Sequence, residues 1–165
     1  KYSGSLSTDF KYKNLLLSFA FVYNFGHVFR IAYPTMNPLE GAADLSAFVA
    51  KRWQKPGDEN KTDIPATLTW ESYDGIRQHL ASYSSNSVRK GDFIRLREIT
   101  LNYELPSQLI KKTPFSRVSL TAQANTVWMW TKNKEGFDPE AVDPIHGTLG
   151  LSEAPSFTFG LRVEF

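Results

Sequence analysis

The chain has 165 residues, a formal charge of +2 and no cysteine. That length suffices for one domain with a sizeable core, and the charge is too balanced for a nucleic-acid binder or an electrostatic membrane anchor. Without thiols there is no disulfide framework, no cysteine nucleophile and no cysteine metal site. No run approaches the ~20 apolar residues of a membrane helix, so any crossing of a bilayer has to be made by strands. The chain opens at Lys1 with neither an initiator Met nor a signal peptide. It is therefore expected to be a mature or cut product, and a candidate piece of something longer.

Ser3 to Lys13 alternates loosely, with Leu6, Thr8, Phe10 and Tyr12 on one side and Ser5, Ser7, Asp9 and Lys11 on the other. Successive strand residues point to opposite faces, so this reads as a strand. Lys13-Asn14 is a short break, and Asn, which tolerates left-handed backbone angles, suits a two-residue hairpin turn there. Leu15 to Phe25 then sets Leu15, Leu17, Phe19, Phe21, Tyr23 and Phe25 on one face. The other face is small or polar apart from Leu16 and Val22.

From His27 to Gly91 the character changes, and Pro34, Pro38, Pro56 and Pro65 punctuate the stretch. Asn37-Pro38 reads as an N-cap with proline at the first helical position. Leu45, Phe48, Val49 and Trp53 recur at helical spacing before the stop at Pro56-Gly57, which predicts a helix from about Pro38 to Trp53. A second short helix is expected from Trp70 to Tyr83, and Ser82 to Ser87 has the polarity of a loop tip. Asp92 to Leu105 returns to strand. Ile99, Leu101, Tyr103 and Leu105 share a face while Ile94 and Leu96 keep the other phase, which calls for either a bulge near Arg97 or a segment above a membrane. Pro106 ends that strand, and Ser107 to Pro114 is a connection with room for one helical turn. Arg117 to Thr131 is the longest strand, with Val118, Leu120, Ala122, Ala124, Trp128 and Trp130 on one face. Lys132 to Pro155 is a loop rich in Gly, Pro and Asp.

Ser156 to Phe165 alternates completely: Phe157, Phe159, Leu161, Val163 and Phe165 against Thr158, Gly160, Arg162 and Glu164. Such a strand fits a soluble sandwich, its apolar face on a core. It also fits an outer-membrane barrel, its apolar face on lipid and its polar face on a wet lumen, with ~10 residues needed to cross. The connections favour the barrel, since they run short turn, very long insert, short connection, long loop, as barrels with short periplasmic turns and long extracellular loops do. With Phe165 at the periplasmic rim, Trp128 and Trp130 fall at the outer rim, where aromatic girdles sit.

Several stretches resemble the C-terminal part of the SusC/RagA-like TonB-dependent outer-membrane transporters of Bacteroidetes. Asp92-Phe-Ile-Arg-Leu-Arg-Glu-Ile-Thr-Leu-Asn-Tyr-Glu-Leu-Pro106 is similar to the family's strand ending in a Leu-Pro turn. Gly136-Phe-Asp-Pro-Glu140, preceded by Ala124-Asn125, resembles its Gly-aromatic-Asp-Pro-Glu loop, and Phe157 to Phe165 its closing strand. Upstream, Arg52-Trp53, Pro56-Gly57-Asp58 and Ile64-Pro65 follow the same pattern. The resemblance implies an all-β fold: about five antiparallel C-terminal strands of a large transmembrane barrel, with residues 27–91 and 132–155 as extracellular loops, the first carrying one or two short helices. The family's plug domain is absent from these residues, and five strands cannot close a barrel, since the smallest has about eight. The resemblance further implies an outer-membrane importer of oligosaccharides or peptides. Its partners are the rest of the same barrel, a SusD-like surface lipoprotein and, through the missing N-terminal part, TonB. In such barrels a C-terminal aromatic strand, here ending at Phe165, is the signal read by the assembly machinery.

No residue constellation points to an enzyme, a cofactor or a metal. His27, His79 and His146 are far apart and lack ligand spacing, and Ser84, Ser85 and Ser87 have no nucleophile context. Asp138, Glu140 and Asp143 could hold a hard cation, but Pro139 and Pro144 favour a rigid turn. The candidate ligand contacts are Trp53 and Trp70, whose flat faces could stack on sugars, and Arg95 and Arg97, which could line a lumen or rim. Trp53 competes with a packing role on its helical stripe. Phe48 and Trp53 are the candidate partner contacts; Trp128, Trp130 and Phe165 are the candidate girdle. A soluble all-β carbohydrate-binding or adhesion module is the alternative from another class.

Overall fold

A computed structural model of the chain describes residues 1–32, 50–66, 76, 80 and 83–165. They form two compact units, taken one at a time: residues 1–27, 90–141 and 151–165, and residues 28–89 and 142–150. The described strands are β1 (Tyr2–Tyr12), β2 (Leu15–Phe25), β3 (Val28–Arg30), β4 (Val88–Lys90), β5 (Phe93–Glu104), β6 (Arg117–Thr131) and β7 (Ser156–Glu164), with one helical turn, α1 (Ser107–Ile110). The Pro38 to Trp53 helix up to Val49, most of the Trp70 to Tyr83 helix, and with them Phe48, Trp70 and His79, lie outside the described residues.

The five long strands hydrogen-bond in the order β1-β2-β5-β6-β7, all antiparallel. Directly opposed residues lie on the same face of a sheet, so the register tells which side chains gather. One row across the sheet reads Phe10, Leu17, Leu101, Ala122, Phe159; the row beside it reads Tyr12, Leu15, Tyr103, Leu120, Leu161. Further along, Leu6, Phe21, Leu96 and Trp128 align, and beyond them Gly4, Tyr23, Ile94 and Trp130. The apolar stripes of these five strands therefore lie on one continuous face. Aromatic contacts knit it, with Phe10 and Phe19 edge to face at 6.2 Å and Tyr23 stacked on Phe25 at 5.6 Å.

The phase change in β5 is a bulge. Ala20 opposes Glu98 but Phe21 opposes Leu96, which leaves Arg97 as the extra residue; on the β6 side the same level is irregular, with Thr126 at φ 53. The extra residue lets Leu96 and Ile99 share the apolar face although three positions separate them. It also sets Arg97 and Glu98 together on the polar side.

That apolar face is bare. Phe157 is 66% and Phe159 81% exposed, and of the buried apolar residues described only Val118 belongs to the face. A soluble sheet of this composition would lose roughly 1.5–3 kcal/mol for each such side chain left in water. In lipid the same face needs no protein cover, while the ladder satisfies the backbone.

Three expectations need correction. At the β1–β2 turn the left-handed residue is Lys13 (φ 51), not Asn14; Asn14 instead ties the turn to the end of β5, its Nδ2 donating to the Glu104 carbonyl and its own carbonyl accepting the Glu104 amide, both at 2.9 Å. Trp53 stands in irregular chain rather than at the end of a helix, where its amide donates to Ile64 O at 3.0 Å. Ser87, placed on an exposed loop tip by its polarity, is buried in a 3-10 turn. Its hydroxyl donates to Ser84 O at 2.8 Å, and its carbonyl accepts from Ile31 at 2.9 Å.

The second unit carries the short β3–β4 ribbon, which no alternation announced. Asp58 organises its Pro56-Gly57-Asp58 turn by accepting the amides of Gln54 and Lys55 at 3.2 and 3.1 Å. Those bonds hold its carboxyl below the usual range. Gly147, at φ 72, passes so close to the backbone of Arg30 and Ala32 that a Cβ there would meet it at 2.8 Å. Ala32 donates its amide to Gly147 O at 2.7 Å.

Candidate functional site

The other face of the five-stranded sheet carries Ser5, Ser7, Asp9 and Lys11 from β1, Ser18 from β2, Thr100 and Asn102 from β5, Thr121, Gln123 and Asn125 from β6 and Thr158 from β7. Hydrogen bonds run between its side chains: Thr121 Oγ1 with Asn102 Oδ1 at 2.6 Å, Gln123 to Asn125 at 3.0 Å, and Asn125 to the Ser156 hydroxyl at 3.1 Å. Near the β1–β2 turn this face opens into a cleft of about 420 Å³ walled by Lys11, Lys13, Glu104, Arg117, Arg162 and Glu164 among others. Arg117 grips Glu104 there through two bonds of 2.9 Å. The surface is polar and charged, the chemistry of a lumen rather than of a core.

At the opposite end two devices fasten the strands. Asp92, whose side chain is 9% exposed, accepts the Gly26 amide at 2.6 Å and the Lys132 ammonium at 3.0 Å. Its carbonyl takes the Lys132 amide at 3.0 Å. One carboxylate thus joins the ends of β2, β5 and β6, and the Lys132 ammonium, with the Gly26 amide, holds it below the usual range despite its burial.

The second device is an ion-pair network. Arg95 Nη2 donates to Asp138 Oδ1 at 2.5 Å, the side chains 2% and 3% exposed. Its Nε stands 2.9 Å from Glu140 Oε2, at an angle that makes an ionic contact without a hydrogen bond. Arg97 Nη2 binds both Glu140 oxygens at 3.0 and 3.2 Å, and its Nη1 reaches Glu153 at 3.3 Å. The loop that supplies the carboxylates is pre-shaped. Asn133 brackets Phe137, donating to its carbonyl at 2.8 Å and accepting its amide at 2.7 Å; Gly136 turns between them at φ 75. The Gly-Phe-Asp-Pro-Glu stretch is therefore a folded arm lying on Arg95 and Arg97.

The structure thus sets Arg95 in a closed ion pair and leaves Arg97 half exposed between two carboxylates. Trp53 is 40% exposed, with its indole N–H on Lys55 O. Trp128 and Trp130 stand half open at one end of the apolar face. Phe165 packs edge to face on Phe115 at 5.3 Å at the other. Asp138 and Glu140, candidates for a hard cation, face guanidinium groups, and Asp143 holds His146 Nδ1 at 2.7 Å. Sequence reasoning missed Asp92 and Asn133. Asp92 carried a signal, a lone acid at a strand end between Gly91 and Phe93, but its partners come from residues far along the chain.

No family model matches the chain. TonB-dependent receptor P39 of Formosa agariphila is 31% identical over 185 aligned positions, covering 99% of this chain and 16% of the relative. TonB-dependent receptor P3 of the same organism is 26% identical over 175 positions, with the same coverage. Among solved structures, the RagAB peptide importer in its open-open state matches with a TM-score of 0.66 at 22% identity, over 99% of this chain and 17% of that one. Its closed-closed state gives 0.66 at 21%, over the same shares. A sheet with one bare apolar face and one hydrogen-bonded polar face, matched in this way, is a stretch of transmembrane β-barrel wall. The chain spans 16% of the length of the curated relatives it matches. By these relatives it is a fragment of a TonB-dependent receptor of the outer membrane.

Proposed function

We propose that this chain forms the closing wall of a TonB-dependent importer of nutrient fragments, oligosaccharides or peptides. Its apolar face meets lipid and its polar face lines the solute path, with residues 27–91 and 132–155 on the extracellular side. The observation that carries this reading is the single exposed apolar face, continuous over five strands, backed by a face of hydroxyls, amides and charges. A soluble sugar-binding or adhesion module would have to cover Phe157, Phe159 and Leu161, and nothing among the described residues does. The wall's work is physical: it pairs its backbone polar groups while separating lipid from a polar channel.

Trp53 and Trp70 are proposed sugar platforms, with Arg97 a polar contact beside the path. Phe48 and Trp53 are proposed contacts for a SusD-like lipoprotein, and coupling to TonB runs through residues outside this chain. The test is uptake of labelled oligosaccharide and peptide pools by cells with and without the gene. Loss of one pool's uptake, reproduced by removing TonB, supports import and names the substrate class. Undiminished uptake of both pools excludes it. Phe48→Ser with Trp53→Ser should release the co-purifying lipoprotein from a barrel that still folds; retention of the lipoprotein removes these two residues from the docking surface.

A further inference from the structure

The connection from β5 to β6, Leu105-Pro-Ser-Gln-Leu-Ile-Lys-Lys-Thr-Pro-Phe115, folds as one piece. The Pro106 carbonyl accepts the Leu109 amide at 2.9 Å, and the Ile110 carbonyl accepts both the amide and the hydroxyl of Thr113, at 2.9 and 2.7 Å. α1 lies against β6, and burial tells on which side. Val118 and Leu120, two residues apart on β6, share the apolar face. Leu120 is 46% exposed, in keeping with the bareness of that face, whereas Val118 and Ile110 are each 8% exposed. The turn therefore covers the end of the apolar face rather than the polar one. At the same end Phe115 meets Phe165 edge to face, and Ser116 donates its amide to Glu164 O at 2.8 Å.

What this turn shows outward is amphipathic. Leu109 is 68% exposed beside the buried Ile110. Lys111 and Lys112 follow as exposed cations, in a stretch from 105 to 115 that holds no acid. A single exposed leucine means little. Leucine, an aromatic pair and two lysines on a turn continuous with a lipid-facing surface have the composition of a bilayer interface. There apolar groups stay at the acyl boundary while lysine ammonium groups reach out to the phosphates. The arginines of this end are differently engaged, Arg117 with Glu104 and Arg162 with Glu164.

We propose that residues 105–115 are an interfacial foot: Leu109 enters the membrane, and Lys111 and Lys112 bind the phosphates of anionic phospholipids in the leaflet at the Phe165 end. This rests on the sheet being a membrane wall, and it concerns the lipid side alone, whatever fills the barrel. The foot fixes the depth at which that end of the wall stands.

The test uses the gene's full product, in a form free of cysteine, reconstituted in phospholipid vesicles. A bimane label at Leu109→Cys is compared with one at Phe159→Cys on β7, using phospholipids brominated near the headgroup or near the tail end of the acyl chain. Position 109 should be quenched by the shallow bromines and position 159 by the deep ones. Lipid retained by the protein is then read by native mass spectrometry after extraction from vesicles with equal phosphatidylglycerol and phosphatidylcholine. A lysine at an anionic surface is worth about a fivefold factor, so Lys111→Gln with Lys112→Gln should lower the phosphatidylglycerol preference at least fivefold. Lys11→Gln, on the polar face, should leave it unaltered. If the double substitution loses the folded form on unboiled gels, Lys111→Gln alone decides. A label at 109 that neither lipid quenches, with 159 quenched, overturns the foot and leaves the wall standing. Neither label quenched overturns the wall itself. Quenching at 109 with a lipid preference that the lysine substitutions do not move overturns the phosphate contacts. Release of phosphatidylglycerol by inorganic phosphate also overturns the proposal, since the ligand would then be a soluble anion.

Discussion

Ile99 and Thr100 are neighbours on β5, and if one face of the sheet meets lipid, arginine at these two positions must have unequal effects. Ile99 sits between Phe19 and Ala124 on the apolar face, and Thr100 between Ser18 and Gln123 on the polar one. At about 3.3 Å per residue, Ile94 and Tyr103 are about 30 Å apart along the strand, or about 23 Å across a membrane at a tilt near 40°. Ile99 is near the middle of that span. An arginine facing lipid at the midplane costs about 2–4 kcal/mol, roughly a 30- to 700-fold loss in the folding equilibrium. Thr100→Arg gives up the Thr100–Glu98 hydrogen bond of 2.7 Å, worth about 0.5–1.5 kcal/mol, and in return offers Glu98 a cation. The assay is a urea series on the gene's full product in phospholipid vesicles, with the folded fraction read from unboiled gel mobility. Ile99→Arg should shift the midpoint down strongly and Thr100→Arg little. Equal shifts, or the reverse order, would refute the assignment of faces.

Three further outcomes are expected. The depressed pKa of Asp92 means that its ties stabilise the strand ends fully above the ordinary aspartate value near ~3.9 and lose that contribution as pH falls through the lower folded value. Asp92→Asn should therefore flatten the acid limb of the unfolding curve, and an unchanged acid limb would show that the Gly26 and Lys132 contacts do not matter. Gly147→Ala must hold a left-handed backbone, at about 1–2 kcal/mol, and also push a Cβ onto the Arg30–Ala32 backbone. Limited proteolysis should then cut within residues 142–150 while the barrel stays intact, and a wild-type digestion pattern counts against the contact. Deleting Phe165 should lower the amount inserted in the outer membrane without changing the properties of what does insert; undiminished insertion would mean that this aromatic is no assembly signal.

The long strands were legible because period-2 alternation survives wherever one face meets a uniform apolar surroundings: Leu15–Phe25 and Arg117–Thr131 could be bounded to the residue. The break in phase near Arg97 was legible for the same reason, but alternation alone left a bulge and a segment above the membrane both open, and only the register makes it a bulge. The polar devices were not. Arg95 looked available for a ligand because nothing local says that Asp138, far along the chain, folds back onto it. Asn133 and Asp92 act through backbone groups, which leave no compositional trace. The β3–β4 ribbon is too short to alternate, and its strands are separated by nearly the whole long insert. Trp53 was misplaced because its spacing from Phe48 and Val49 matched a helix, while its backbone pairs with Ile64 instead.

The orientation of the wall is tested most directly by nitroxide scanning of β7 and β5, one position at a time, in lipid vesicles containing the gene's full product. Collision rates are measured with oxygen, which partitions into lipid, and with a water-soluble nickel chelate. A lipid-facing apolar stripe predicts oxygen maxima at Phe157, Phe159 and Leu161 and chelate maxima at Thr158, Gly160 and Arg162. On β5 the alternation should slip by one residue across Arg97. Oxygen maxima on the polar set, or no alternation along β7, would contradict a barrel wall with its aromatic face in the membrane.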